Sequence, residues 1–126
     1  MSEHEAMEQA LGPLSCPYGR APVKARPDTY VSWFEVLAQP ALDASNSTRR
    51  MEHMLQVDIY SRGATDALLD TVLRLLRGGG FKVASYGPED YEDDTRYRHV
   101  PITVRINTAI DSEDKQEQEE EENADQ

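Results

Sequence analysis

The stretch that decides the fold runs from His53 to Gly80, "HMLQVDIYSRGATDALLDTVLRLLRGGG". Its hydrophobic period changes part-way. Leu55, Val57 and Ile59 alternate with Gln56, Asp58 and, broadly, Arg62, the period of two that marks a half-buried strand. After Gly63 the period lengthens: Ala64, Ala67, Leu68, Val72, Leu75 and Leu76 fall along one helical stripe. Arg74 and Arg77 occupy the last turn, where cations favour the negative end of the helix dipole, and three glycines stop the helix. A strand delivered straight into an amphipathic helix is the frame for everything around it.

Downstream, "FKVASY" predicts a strand with Phe81 and Val83 inward. "YRHVPITVRIN" predicts another, with Val100, Ile102, Val104 and Ile106 on one face; Pro101 cannot donate to a ladder, which predicts an edge position or a bulge. Upstream, "TYVSWFEVL", Thr29 to Leu37, is dense in β-branched and aromatic residues, with Tyr30, Phe34 and Val36 on one side and Val31, Trp33 and Leu37 on the other, so both faces read as covered. "QPALDASNSTRR" is rich in turn formers and predicts a long loop between strands. Ser2 with Glu5 forms a capping box for a short first helix that ends at Gly12-Pro13, and the proline-rich residues from there to Asp28 read as an extended connector. The order helix, strand, strand, helix, strand, strand predicts an α+β fold, a mostly antiparallel four-stranded sheet with helices packed on one face.

The chain has 126 residues, enough for one domain with a real core. Residues 1–110 form that domain, with 15–28 as the connector. Residues 111–126 hold nine acids and one lysine, −8 of the chain's −11, which leaves −3 for the rest. This tail has too little apolar surface to offset its ordering entropy and is expected to be disordered, as a solvating appendage, a lure for a basic partner or a repeller of nucleic acid. Cys16 is the single cysteine, so an internal disulfide and a cysteine zinc cluster are excluded. Neither a signal peptide nor a membrane span is expected, which predicts a soluble protein that is not secreted.

Glu89, Asp90, Glu92, Asp93 and Asp94 crowd six positions and invite a metal or acid-base reading. A calcium loop counted from Asp90 would require glycine and glutamate where Thr95 and Pro101 stand. His4, His53 and His99 lie on a floppy start and two separate strands, without metal-ligand spacing. "RGGGF" closes a helix rather than opening one, so it is no phosphate cradle. No G-x-S-x-G is present, and Cys16 lacks a nucleophile's context. The chain therefore reads as a non-enzyme with no catalytic residue, metal or cofactor. A net of −3 gives no general footprint for nucleic acid. Arg49 and Arg50, with Arg20, Lys24 and Arg26, are either ordinary surface charge or a basic face opposite the acids, suited to head-to-tail contact between identical subunits. Arg49, Arg50, Glu89, Asp90, Glu92, Asp93 and Asp94 are thus the candidate subunit or partner contacts.

Taken in order, "RPDTYVSWFEV", the polar loop, "HMLQVDIYSRG", the helix, "GGGFKV" and "YGPEDYEDDTRYRHVPITVRI" resemble the tail-completion or tail-terminator proteins of long-tailed bacteriophages, from Arg26 to Ile106. The resemblance implies a virion structural protein, assembled in the bacterial host cytoplasm into a hexameric ring at the head-proximal end of the tail tube. Such a ring ends tube polymerisation and joins tail to head. The implied partners are further copies of the chain, the tail tube protein and the head connector protein, with DNA passing through the lumen without specific binding and no membrane involved. A head-to-tail connector adaptor, or another small protein-interaction module, is the alternative. A small α+β enzyme would require a titratable pocket that the sequence does not signal.

Overall fold

The computed structural model describes residues 1–41 and 50–109. Arg49 and the acidic tail at 111–126 lie outside them, as does most of the loop after Pro40. The elements are α1 (Glu3–Leu11), β1 (Tyr18–Arg20), β2 (Thr29–Pro40), β3 (Arg50–Ser61), α2 (Asp66–Gly78), β4 (Lys82–Tyr86), β5 (Asp90–Tyr91) and β6 (Arg98–Ala109). The α+β class holds, with six strands in place of the expected four. Strand order is β1-β2-β3-β6-β4, with β5 also on β6; β1 runs parallel to β2 and every other pair is antiparallel.

Both extra strands are short and held by a longer neighbour. Within the connector, Val31 N–H donates to Pro17 O and Ala21 N–H to Trp33 O, so Tyr18–Arg20 joins the edge of β2. Gln39 and Pro40, read as loop, extend β2, and Arg50 opens β3. β6 is an interior strand rather than an edge. β4 pairs its Ile102–Arg105 stretch and β5 its Arg98 and His99, so Pro101 falls in the gap between them, where its carbonyl accepts from Gly87 N–H and no donor is required of it.

Among the described residues, both helices cover one face of the sheet and neither covers the other. In register, Val31, Ile59 and Val100 form one row and Trp33, Val57 and Ile102 the next, all buried under Ala6, Met7, Ala10 and Leu11 of α1 and Val72, Leu73 and Leu76 of α2. The sequence stripe on α2 is rotated: Leu73 is buried and Leu69 half-buried, whereas Ala64 and Ala67 are exposed. Leucine removes far more apolar area from water than alanine does, so the leucines take the inner side. The α1 start is an ordered helix, capped through Ser2 Oγ and Glu5 as the capping box predicts.

The α2 stop assigns each glycine its own task. Phe81 N–H donates to Leu76 O and Gly80 N–H to Arg77 O, a Schellman closure with Gly80 at φ +94. At Gly79 an added Cβ would lie 2.6 Å from Ala10 Cβ, so the missing side chain is what lets α2 approach α1. Gly78 has open space at the same position.

On the other face, Tyr30, Tyr60 and His99 stack across β2, β3 and β6, at 4.8 and 4.6 Å between ring centroids. Tyr97 closes this end edge-on to both tyrosines, its hydroxyl donating to Pro27 O at 2.6 Å. Burial, aided by the Asp58 charge, pushes the Tyr60 phenol up to about 12. Asp58, itself buried, accepts from Gln56 Nε2 and is 2.7 Å from His99 Nε2. That bond, opposed by desolvation and reinforced by the charges of Asp58, Glu92 and Asp90, holds His99 above its ordinary 6.5.

Two outcomes follow from this packing. Gly79→Ala should lower unfolding free energy by about 1–3 kcal/mol through overpacking against α1, and Gly78→Ala should leave it unchanged or slightly raised, as denaturant titration will read. The raised His99 pKa contributes stability that is complete below about pH 6.5 and disappears as pH rises through the folded value. Wild type should therefore exceed His99→Gln in stability most in mild acid, with the difference shrinking toward alkaline pH.

Candidate assembly surfaces

Between β5 and β6 the acidic stretch folds into a tight turn. Glu92 N–H donates to Tyr97 O, Arg96 N–H to Glu92 O, and Thr95 Oγ1 to the Glu92 carboxylate at 2.8 Å. Arg62 fastens the turn to β3: its Nε donates to Thr95 O, its guanidinium lies 4.2 Å from the Tyr97 ring centroid, and its Nη1 reaches Asp28 at 2.8 Å. Glu89 accepts from the Thr65 hydroxyl and pairs with Arg98 at 3.2 Å, interactions that outweigh desolvation and lower its pKa. The five acids are therefore not equivalent. Glu89 and Glu92 stabilise the turn, while Asp90, Asp93 and Asp94 stand exposed, as does the ring of Tyr91 next to Asp90 in β5.

The candidate bases do not gather into one patch. Arg50 opens β3 opposite Ala109, at the far end from Arg98 and the acids. With twelve residues in β3, the two ends are separated by roughly 36 Å along the strand. Arg26 sits at the acidic end instead, where its carbonyl accepts from Tyr97, and Arg20 lies on the sheet edge beside Trp33. Lys24 is exposed in the connector.

Between the two ends the open face turns apolar. The register of β2 shifts between Glu35 and Leu37, leaving Val36 as the extra residue and pairing Leu37 with Met54, on the face of Phe34 rather than of Trp33. Phe34, Val36 and Leu37 are 40, 51 and 46% exposed, which corrects the expectation that both faces are covered.

A third constellation was not signalled by spacing. His53 is in phase with Leu55 and Val57, and Glu35 with Val31 and Trp33, so both point to the helix side, where α1 brings Glu3 and His4. His53 Nδ1 lies 2.6 Å from Glu35 Oε2 and 3.6 Å from Glu3 Oε2, and His53 Nε2 lies 3.0 Å from Thr108 Oγ1. Trp33 Nε1 donates to His4 Nδ1 at 3.2 Å. Desolvation raises Glu35, and the hydrogen bonds and charges of its neighbours outweigh it, so the carboxyl titrates below its ordinary range. Strand parity was the available signal: a histidine and a glutamate in inward phase call for partners. Cys16 is half-buried with its thiol pushed up by burial, contrary to what a nucleophile requires.

The comparisons with known proteins address the whole of this architecture. A search among curated proteins returns no match. A chain in a solved structure of the virion of a native gene transfer agent particle shares the fold, with a TM-score of 0.54 and 12% identity over 86% of this chain and 95% of that one. A family model described as tail completion protein gp17 matches residues 2–109, which takes in both helices, all six strands and the acidic turn. The chain accordingly belongs to the gp17 tail completion family, as a structural protein of the phage virion tail.

Proposed function

We propose that the protein closes into a homo-oligomeric ring of six subunits at the head-proximal end of the tail tube, where it ends tube polymerisation and joins tail to head. Family membership supports the setting, and the observation that carries the reading is the separation of unlike surfaces on one sheet. Asp90, Asp93 and Asp94 stand at one end and Arg50 at the other. A patch that complements a different patch on the same molecule makes a heterologous contact, and such contacts close into rings when the rotation allows. The Phe34, Val36 and Leu37 strip supplies the apolar surface that interfaces bury at their centre. On this reading Arg49 and Arg50 meet the acidic turn of a neighbour, and the two ring faces meet the tail tube protein and the head connector protein. DNA passes through the lumen without specific binding, since the net charge of −11 repels phosphate.

Light scattering after size exclusion, with electron microscopy of each peak, is the test. A closed ring of six chains that loses subunits as salt screens its contacts is expected. The variant Asp90→Asn/Asp93→Asn/Asp94→Asn, which leaves Glu89 and Glu92 in their structural bonds, should fail to form rings and to complete tails. Its stability should stay within about 0.5 kcal/mol of wild type, as is usual for surface changes. A chain that remains monomeric even with unfinished tails, or a triple variant that completes them normally, contradicts the reading.

A further inference from the structure

We propose that Glu3, Glu35 and His53 form a binding site for a divalent transition-metal cation of the zinc class, which clamps the start of α1 to the β2–β3 pair. The sequence reading assigned no metal ligand, because the three residues lie far apart in the chain; the fold supplies what spacing lacks. One ligand comes from each of α1, β2 and β3, and their donor atoms all lie within 4.8 Å of one another. Zinc bonds of about 2.0–2.2 Å set the edges of a tetrahedral shell at about 3.3–3.6 Å. The 3.6 Å from His53 Nδ1 to Glu3 Oε2 matches such an edge, and the 2.6 Å hydrogen bond from His53 Nδ1 to Glu35 Oε2 must open to accept a cation.

The surroundings favour a metal ligand's arrangement. His53 is 8% exposed and its Nε2 lies 3.0 Å from Thr108 Oγ1, which can accept an Nε2–H; loss of the Nδ1 proton that now bonds Glu35 would then leave a lone pair facing the two carboxylates, the second-shell pattern of metal-bound histidine. His4 has a different part. The indole N–H of Trp33 can only donate, so His4 Nδ1 accepts and the neutral ring carries its proton on Nε2. That N–H lies 3.4 Å from Glu3 Oε2 and 3.7 Å from Glu35 Oε1, so His4 turns a positive dipole and no lone pair toward the carboxylates and is not a ligand. Two carboxylates and one imidazole suit zinc-class ions, whereas calcium takes six to eight oxygens. Water takes the fourth position. On binding, metal–oxygen and metal–nitrogen bonds form, and the proton shared by His53 Nδ1 and Glu35 passes to solvent.

Isothermal titration of the EDTA-stripped full chain with zinc chloride tests the site, with circular dichroism confirming that each variant is folded. Wild type should bind one equivalent and release a proton, detected as a heat that changes with the ionisation enthalpy of the buffer. Glu3→Gln, whose side chain lies outside the apolar core, should lose at least tenfold in affinity, and zinc should raise the melting temperature of wild type but not of this variant. Absence of zinc binding by wild type overturns the proposal. Unchanged affinity in Glu3→Gln also overturns it, since the ion would then sit elsewhere, at Asp58 and His99 or in the acidic run at 111–126.

Discussion

The structure depends on one constraint: a strongly apolar sheet face must be covered by only two short helices, and each has to approach closely to cover it. Trp33 is the largest buried side chain of that face, and its indole is satisfied by His4 at the start of α1. The contact fixes where α1 lies. α2 then reaches α1 only because Gly79 presents no side chain to Ala10. Burial of a tryptophan and the aliphatic rows beside it supplies the main driving force, and loss of such a side chain typically costs about 3–5 kcal/mol. With both helices committed to one face, no helix among the described residues lies over the other, whose Phe34 and Leu37 stand exposed.

Much of this was legible in the residues. The alternation of Leu55, Val57 and Ile59, the matching rows Val100, Ile102 and Val104, the Ser2–Glu5 capping box and the glycine stop are local patterns with local causes, and each appears where the pattern places it. What escaped was decided by pairing. β1 and β5 are too short to hold an extended form alone, and exist because β2 and β6 offer them a ladder. A single bulged residue at Val36 moved Leu37 to the opposite face, an effect that alternation cannot foresee. Pro101 is tolerated inside the sheet because two neighbouring strands leave a gap opposite it.

The surfaces show the same division. The acidic run was visible as a feature, but its chemistry was not: Glu89 and Glu92 bond Thr65, Arg98 and Thr95, while Asp90, Asp93 and Asp94 stand exposed. Arg50 lies at the other end of the sheet because antiparallel pairing sets the start of β3 against the end of β6. The meeting of Glu3, Glu35 and His53 needed parity and helix placement together, and neither alone would have shown it. These features describe a sheet with two unlike ends and one face free of helices among the described residues.

The most direct measurement is amide hydrogen exchange on the free chain and on the same chain in completed tails. New protection confined to the open face around Phe34–Leu37 and to the turn around Asp90–Asp94, with α1 and α2 unchanged, is the expected result. Protection gained on the outer surfaces of α1 and α2, with the open face exchanging as before, would contradict the assignment of the uncovered sheet face as the surface of assembly.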